Sequence, residues 1–135
     1  DRLFASDDVA EILAALDADA AAGNGWAGKT AETIRRMSPA SCAVSALQLA
    51  RGAGADLAEC LKMEFRISQR FMQGGDFYEG IRAVLIDKDN APEWPSTLES
   101  TDAAAYAARL PEDAELRLPA SEVAPSHFGL VTDAA

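Results

Sequence analysis

Residues 56–75 read DLAECLKMEFRISQRFMQGG. Asp56 stands where a side-chain oxygen satisfies the first free N–H groups of a helix. Gly74 and Gly75 close the stretch, as glycines do at helix ends. Between them Leu57, Leu61, Phe65 and Met72 recur at helical spacing, widened by Cys60, Ile67 and Phe71. The pattern predicts a helix over 56–73, the longest of the chain, with that row turned inward. No segment here or elsewhere shows sustained period-two alternation, so the chain reads as all-α.

Upstream, Ser6 is a candidate cap, followed by Asp7 and Asp8, where the helix dipole favours negative charge. Val9, Ile12, Leu13 and Leu16 then fall on one face, and Gly23 with Gly25 ends that helix. Trp26 precedes a second helix over roughly 28–37, with Ala31, Ile34 and Met37 inward and Arg35 and Arg36 outward. Ser38-Pro39 is a helix start, because proline lacks an N–H that would be unpaired there anyway. The third helix, about 39–51, carries Ala43, Val44, Leu47 and Ala50 on one side. Its polar strip is thin, which predicts cover on most sides.

Downstream, Asp76 with Glu79 three residues on reads as an aspartate version of the capping box. Phe77, Ile81, Val84 and Leu85 supply the fifth stripe, and Asp87-Lys88-Asp89-Asn90 leads out before Pro92 and Pro95. The expected division is a helical region over 1–94, with about five helices, and a second stretch over 95–135. In the second stretch Thr101 caps a short helix, 102–109, anchored by Tyr106 and Leu110. A proline-spaced tail follows, expected to lie over another surface or to be partly disordered.

Composition narrows the function. The chain has 135 residues, 49% of them hydrophobic, and a formal charge of −10. That suffices for one compact core. The acidity argues against nucleic acid or an anionic membrane surface as partner, and no apolar run approaches membrane-spanning length. Charge is uneven: one basic residue faces six acidic over 1–27, seven face four over 28–70, and four face twelve over 71–135. Two cysteines and one histidine are too few for a disulfide framework or a zinc site.

The chemistry-bearing side chains assemble no active site. His127 and Ser126 are neighbours on the tail, without a third group to orient the base. Cys42 and Cys60 read as small apolar core residues. Asp87 and Asp89 begin like a calcium loop, but Ala91, Pro92 and Leu98 occupy positions that need a ligand, a glycine and a glutamate. They read as helix-exit residues. Lys62, Arg66 and Arg70 form a basic stripe suited to a solvated or ion-paired face, with a bound phosphate as the other reading. Glu59 is placed to pair with Lys62. No catalytic residue and no metal ligand is assigned.

Three stretches are more specific when taken together: Ser38-Pro39-Ala40-Ser41, then LAECLKMEFRISQ over 57–69, then DFYEGIRAVLIDKDNAPEW over 76–94. In order and spacing they resemble the C-terminal part of the 3-hydroxyisobutyryl-CoA hydrolases, within the crotonase (enoyl-CoA hydratase/isomerase) superfamily. The resemblance is strong over 34–94, moderate over 1–33 and absent over 95–135. It implies a parent enzyme that hydrolyses a branched 3-hydroxyacyl-CoA thioester in valine breakdown. In that superfamily two backbone N–H groups hold the thioester oxyanion and acidic side chains do the acid–base or nucleophilic work. Those groups belong to an upstream α/β core. The helical part is expected to pack on that core, wall the acyl-CoA pocket and contribute to contacts in a homo-oligomer.

Many relatives in the superfamily carry a pattern like D-x-x-E-G-x-x-A-F-x-E-K-R-x-P-x-F near the adenine end of CoA. Asp76, Glu79, Gly80 and Ala83 fit it in register and Lys88 and Pro92 fit it one and two residues further on, while Val84, Asp89 and Trp94 replace a phenylalanine, an arginine and a phenylalanine. The resemblance thus nominates Lys88 as a substrate-binding residue for the CoA phosphates, with a helix-end cation as the plainer role. CoA enters as part of the substrate, and no separate cofactor is expected. The chain begins at Asp1 and its first methionine is Met37, so it is expected to be a piece of a longer, cytoplasmic polypeptide. Two alternatives stay open: the same region of an enoyl-CoA hydratase or isomerase, and a free-standing helical interaction module.

Overall fold

A computed structural model describes residues 2–119, which are helical with no strand among them. A 3-10 turn at Arg2–Phe4 precedes α1 (Val9–Ala21), α2 (Gly25–Arg36), α3 (Pro39–Gly52), α4 (Leu57–Phe71) and α5 (Gly75–Ile81). A π-helical turn, Arg82–Ile86, prolongs α5, and a short α6 (Ala103–Ala107) follows. The all-α expectation holds. None of these helices is long and apolar enough to cross a membrane. Ser126 and His127 lie outside the described residues.

Local chemistry sets the helix starts. Ser38 Oγ accepts from the Ser41 N–H at 3.0 Å, with Pro39 opening α3, and Asp56 accepts from the Glu59 N–H at 2.8 Å. Elsewhere the cap is a neighbour of the expected one. Asp8, not Ser6, caps α1, because its carboxylate reaches the Ala10 N–H at 2.7 Å while Ser6 bonds Glu11. Asn24 caps α2 through the Trp26 and Ala27 N–H groups, so Trp26 lies inside the helix. Asp102, not Thr101, caps α6. An ionised carboxylate is the stronger acceptor, which favours the aspartate in each serine- or threonine-versus-aspartate choice.

Two small cores result. α1 and α2 form a hairpin around Ile12, Leu16, Ala27 and Ala31, with Leu13, Ala20 and Ile34 packed beside them. Ala27 and Ala31 are fully buried, and their small side chains let the two helices approach closely. The second core joins Val44 of α3, Met63 and Ile67 of α4 and Ala107 of α6, bordered by Leu47, Phe71 and Tyr106. Phe71 and Tyr106 rings stand 4.8 Å apart. Contacts therefore cross residue 94 freely.

The inward row of α4 is only partly the one expected. Ile67 and Phe71 face the core as expected, joined by Met63 and even Arg66, whereas Leu57, Leu61 and Met72 are exposed. α4 carries two apolar rows, and α3 with α6 cover only one. Met37, expected inward, is also exposed, at the turn between α2 and α3.

Candidate functional site: an open apolar groove and its polar fastenings

α3, α4, α5 and the π turn enclose an open groove of about 690 Å³. Ile67 and Phe71 form its floor, and Phe77, Ile81, Val84 and Leu85 one wall. Val84 and Leu85, together with Ile86 beside them, are more than half exposed, so the stripe predicted for the fifth helix exists but nothing described covers it. The groove resembles small-molecule and partner sites in being concave and mostly apolar, with few polar groups at its edge.

The polar edge is built around Asp76, which does not cap its helix. Gly74 holds the cap position without a side-chain bond, and Asp76 is the second residue of the helix, in its first turn and buried. Its carboxylate accepts from Ser38 Oγ at 2.5 Å, Ser96 Oγ at 2.6 Å and the Ser96 N–H at 3.2 Å. Ser96 Oγ also accepts from the Ala40 N–H at 3.2 Å. A buried carboxylate is tolerable when its lone pairs are filled in this way. It ties α5, the start of α3 and the chain after Trp94 at one point.

Residues 93–96 continue that fastening as a strap along α5. The Glu93 N–H donates to Glu79 at 2.7 Å, and Trp94 Nε1 donates to the Arg36 carbonyl at 2.9 Å while its ring lies over Gly80. Pro95 presses on Gly75 so closely that a Cβ there would meet its Cγ at 2.8 Å. Glycine is required at 75 by that approach.

Arg82 organises the far end of α5. It bonds Glu79 at 2.7 and 2.9 Å, Asp87 at 2.7 Å, Asp89 at 2.7 Å and the Ala91 carbonyl at 3.2 Å. The Arg82 guanidinium, helped by the Glu93 N–H, holds the Glu79 carboxyl at about 2 against an ordinary 4.5. Arg82 likewise keeps Asp89 below the usual carboxylate range, with the Ala91 N–H adding to it. The backbone closes around this knot: the Asp87 N–H bonds the Arg82 carbonyl at 2.8 Å and the Asn90 N–H the Ala83 carbonyl at 3.0 Å. Lys88 and Asn90 take left-handed conformations, with φ of 57° and 53°. Lys88 is exposed, makes no ion pair among the described residues, and lies three residues beyond the last groove residue of the π turn.

The basic stripe of α4 is consumed internally. Lys62 pairs with Glu59 at 2.6 Å. Buried Arg66 donates to both Glu115 oxygens at 3.0 Å, and Arg70 reaches the carbonyls of Tyr106 and Arg109 at 3.3 and 3.4 Å. Burial pushes the Glu115 carboxyl up, but bonds from Arg66 and the Leu110 N–H outweigh it and leave the pKa lowered. Arg66 and Arg70 hold the end of α6 and the segment after it, while Lys62 is paired within α4. Cys42 and Cys60 are half-buried free thiols, and burial pushes the Cys42 thiol up. Asp87 and Asp89 are both turned onto Arg82, and no cluster of three or more metal-binding side chains occurs among the described residues.

A family profile described as enoyl-CoA hydratase/isomerase matches residues 1–110. The chain belongs to that family. Among individual members, it is 50% identical over 99 residues to the protein named 3-hydroxyisobutyryl-CoA hydrolase, mitochondrial, of Danio rerio, covering 73% of this chain and 25% of that one. Proteins of the same name from Homo sapiens (44% over 91 residues, 67% and 23%) and Dictyostelium discoideum (41% over 104 residues, 76% and 27%) are similar to it as well. The chain thus spans about a quarter of the length of these enoyl-CoA hydratase/isomerase family members. The cytoplasmic location expected from the sequence is overturned, since all three relatives are named mitochondrial. The packing pattern of a helical segment carries no compartment signal, so the sequence reading had none to use.

Asp76 and Glu79 were expected to act locally, as a capping box. The Glu79–Arg82 spacing was a visible signal for an ion pair. Nothing local pointed from Asp76 to Ser38 and Ser96, which are 38 and 20 residues away.

Proposed function

We propose that this chain is the C-terminal helical part of a 3-hydroxyisobutyryl-CoA hydrolase, which cleaves the thioester of that acyl-CoA in valine breakdown. The observation that carries the reading is identity of 41–50% to relatives that bear this enzyme's name. The reacting groups would lie in the remaining part of the polypeptide, on an α/β core. This chain would pack on that core through its uncovered apolar surfaces, wall the acyl-CoA site and exclude water from it. Dry, low-dielectric surroundings strengthen every hydrogen bond to a developing oxyanion. The open groove and the exposed wall of Val84 and Leu85 support that role, as surfaces that need a partner to be buried. Lys88, exposed and unpaired by the acids beside it, offers its ammonium to the CoA phosphates. A homo-oligomer of the full enzyme belongs to the same proposal.

Thiol release from 3-hydroxyisobutyryl-CoA tests it. The full-length polypeptide should release CoA and the isolated 135 residues should not. Turnover by the isolated chain overturns the placement of the reacting groups outside it. A full-length protein that hydrates an enoyl-CoA but leaves this thioester intact replaces the hydrolase with the hydratase reading. Lys88→Ala in the full enzyme should raise KM about threefold, the size of one exposed charge–phosphate contact.

A further inference from the structure

Lys88 is flanked by two acids, Asp87 and Asp89. An anion-binding lysine between two carboxylates is a contradiction unless the carboxylates are occupied. Left free, they would pair with the ammonium themselves and repel an approaching phosphate. Arg82 resolves this. Its Nη1 takes Asp87 and Asp89 at 2.7 Å each, its Nη2 and Nε take Glu79, and Nη2 also binds the Ala91 carbonyl, so both ends of the turn are gripped by one guanidinium. The planar fork of arginine suits several oxygens at once, and a lysine could not reproduce it. Within the turn Lys88 adopts the left-handed backbone, φ 57°, between the two held aspartates.

We infer that Arg82 is a positioning residue for nucleotide recognition: it withdraws Asp87 and Asp89 onto its own charge and fixes the turn, leaving Lys88 as its projecting cation toward the phosphates of an acyl-CoA. This rests on the acyl-CoA reading of the same site. Arg82 touches no reacting atom.

The experiment uses the full-length enzyme and two substrates, 3-hydroxyisobutyryl-CoA and the matching pantetheine thioester, which lacks the nucleotide and its phosphates. Arg82→Gln should raise KM for the CoA thioester about tenfold with kcat nearly kept, and leave KM for the pantetheine thioester unchanged. Adding Asp87→Asn and Asp89→Asn to Arg82→Gln should recover most of the lost KM, because the freed acids are then neutral. Equal rises for both substrates, or no recovery in the triple variant, overturn the inference. Should Arg82→Gln not fold, the Asp87→Asn/Asp89→Asn enzyme decides alone. With Arg82 present, KM for the CoA thioester should move by less than about twofold, whereas a fall near the scale of a full charge pair shows that the acids were never silenced. Lys88→Ala separates the two levels. If it leaves KM for the CoA thioester unchanged, the Lys88 reading fails and Arg82 with it. If it raises KM while Arg82→Gln does not, only the positioning role falls.

Discussion

α1 and α4 are built from the same kind of sequence and end in opposite situations. α1 has one apolar row, and Val9, Ile12 and Leu16 are all buried against α2 and its neighbours. α4 has two. Met63 and Ile67 are buried under α3 and α6, while Leu57 is 74% and Leu61 40% exposed. The π turn after α5 repeats the second case, with Val84 and Leu85 open along the groove. Periodicity thus identifies a face that wants cover, and only the neighbours decide whether it is covered here. Uncovered apolar side chains lie on α4, α5 and the π turn, and also at Leu49 of α3 and Trp26 of α2.

The sharpest way to break that contrast is to remove buried bulk from the closed region. Leu16 is fully buried between α1 and α2. Leu16→Ala should destabilise the chain by about 2–5 kcal/mol, the transfer loss plus the cavity left behind. Urea unfolding followed by far-UV circular dichroism measures it. A loss near zero would mean that the α1–α2 hairpin is not a cooperative part of the fold, and the contrast with α4 would lose its reference.

A second test concerns what holds the open region in shape. The α1–α2 core is apolar, whereas the end of α5 is held by the charges around Arg82. Glu79 has a folded pKa of about 2 against 4.5 ordinarily. A depressed carboxylate contributes stability that is fully present above the ordinary value and is lost as pH falls through the folded one. The 79–93 region should therefore loosen between about pH 4.5 and pH 2, with Asp89 acting in the same direction, and the exposed Asp17–Arg35 pair that joins α1 to α2 should weaken on the same side of the pH scale. The amide of Glu93, which donates to Glu79, reports it: its resonance should shift with a midpoint near 2, and Glu79→Gln should abolish the shift. An identical acid profile in the Gln variant would break the assignment.

How much of this was legible depended on range. Starts at Ser38-Pro39 and Asp56 were readable because a cap acts within one turn. Class and family were readable as well. Around the 76–94 stretch that carried the resemblance, Gly75 under Pro95, Gly80 under Trp94, Asp76 with Ser96, and Glu79 with the Glu93 N–H lock one strap to one helix. What stayed hidden required knowing a distant partner. Arg66 looked like a surface cation, and Glu115, 49 residues on, makes it a buried one. α4 offered two rows of similar apolar character, and helical spacing alone gives no reason to prefer Met63 over Leu57 and Leu61. The π turn was equally invisible, since it arises where the chain must return to place Asp87 and Asp89 on Arg82.

The smallest predicted effect is also the most informative about the open faces. Leu57 is 74% exposed at the start of α4 and packs in neither core. Leu57→Ala should change the stability of the isolated chain by no more than about 0.5 kcal/mol, as surface replacements do. Burial by a catalytic core would change that. Fully burying a leucine is worth about 1.5–3 kcal/mol, so the same substitution in the full-length protein should cost on that order, and the difference between the two measurements is the burial supplied by the partner. Equal small effects in both would show that this row of α4 faces water in the whole enzyme, and would confine the interface to the groove and the π turn. A large effect in the isolated chain would show instead that the row is already covered here, and the contrast between α1 and α4 would disappear.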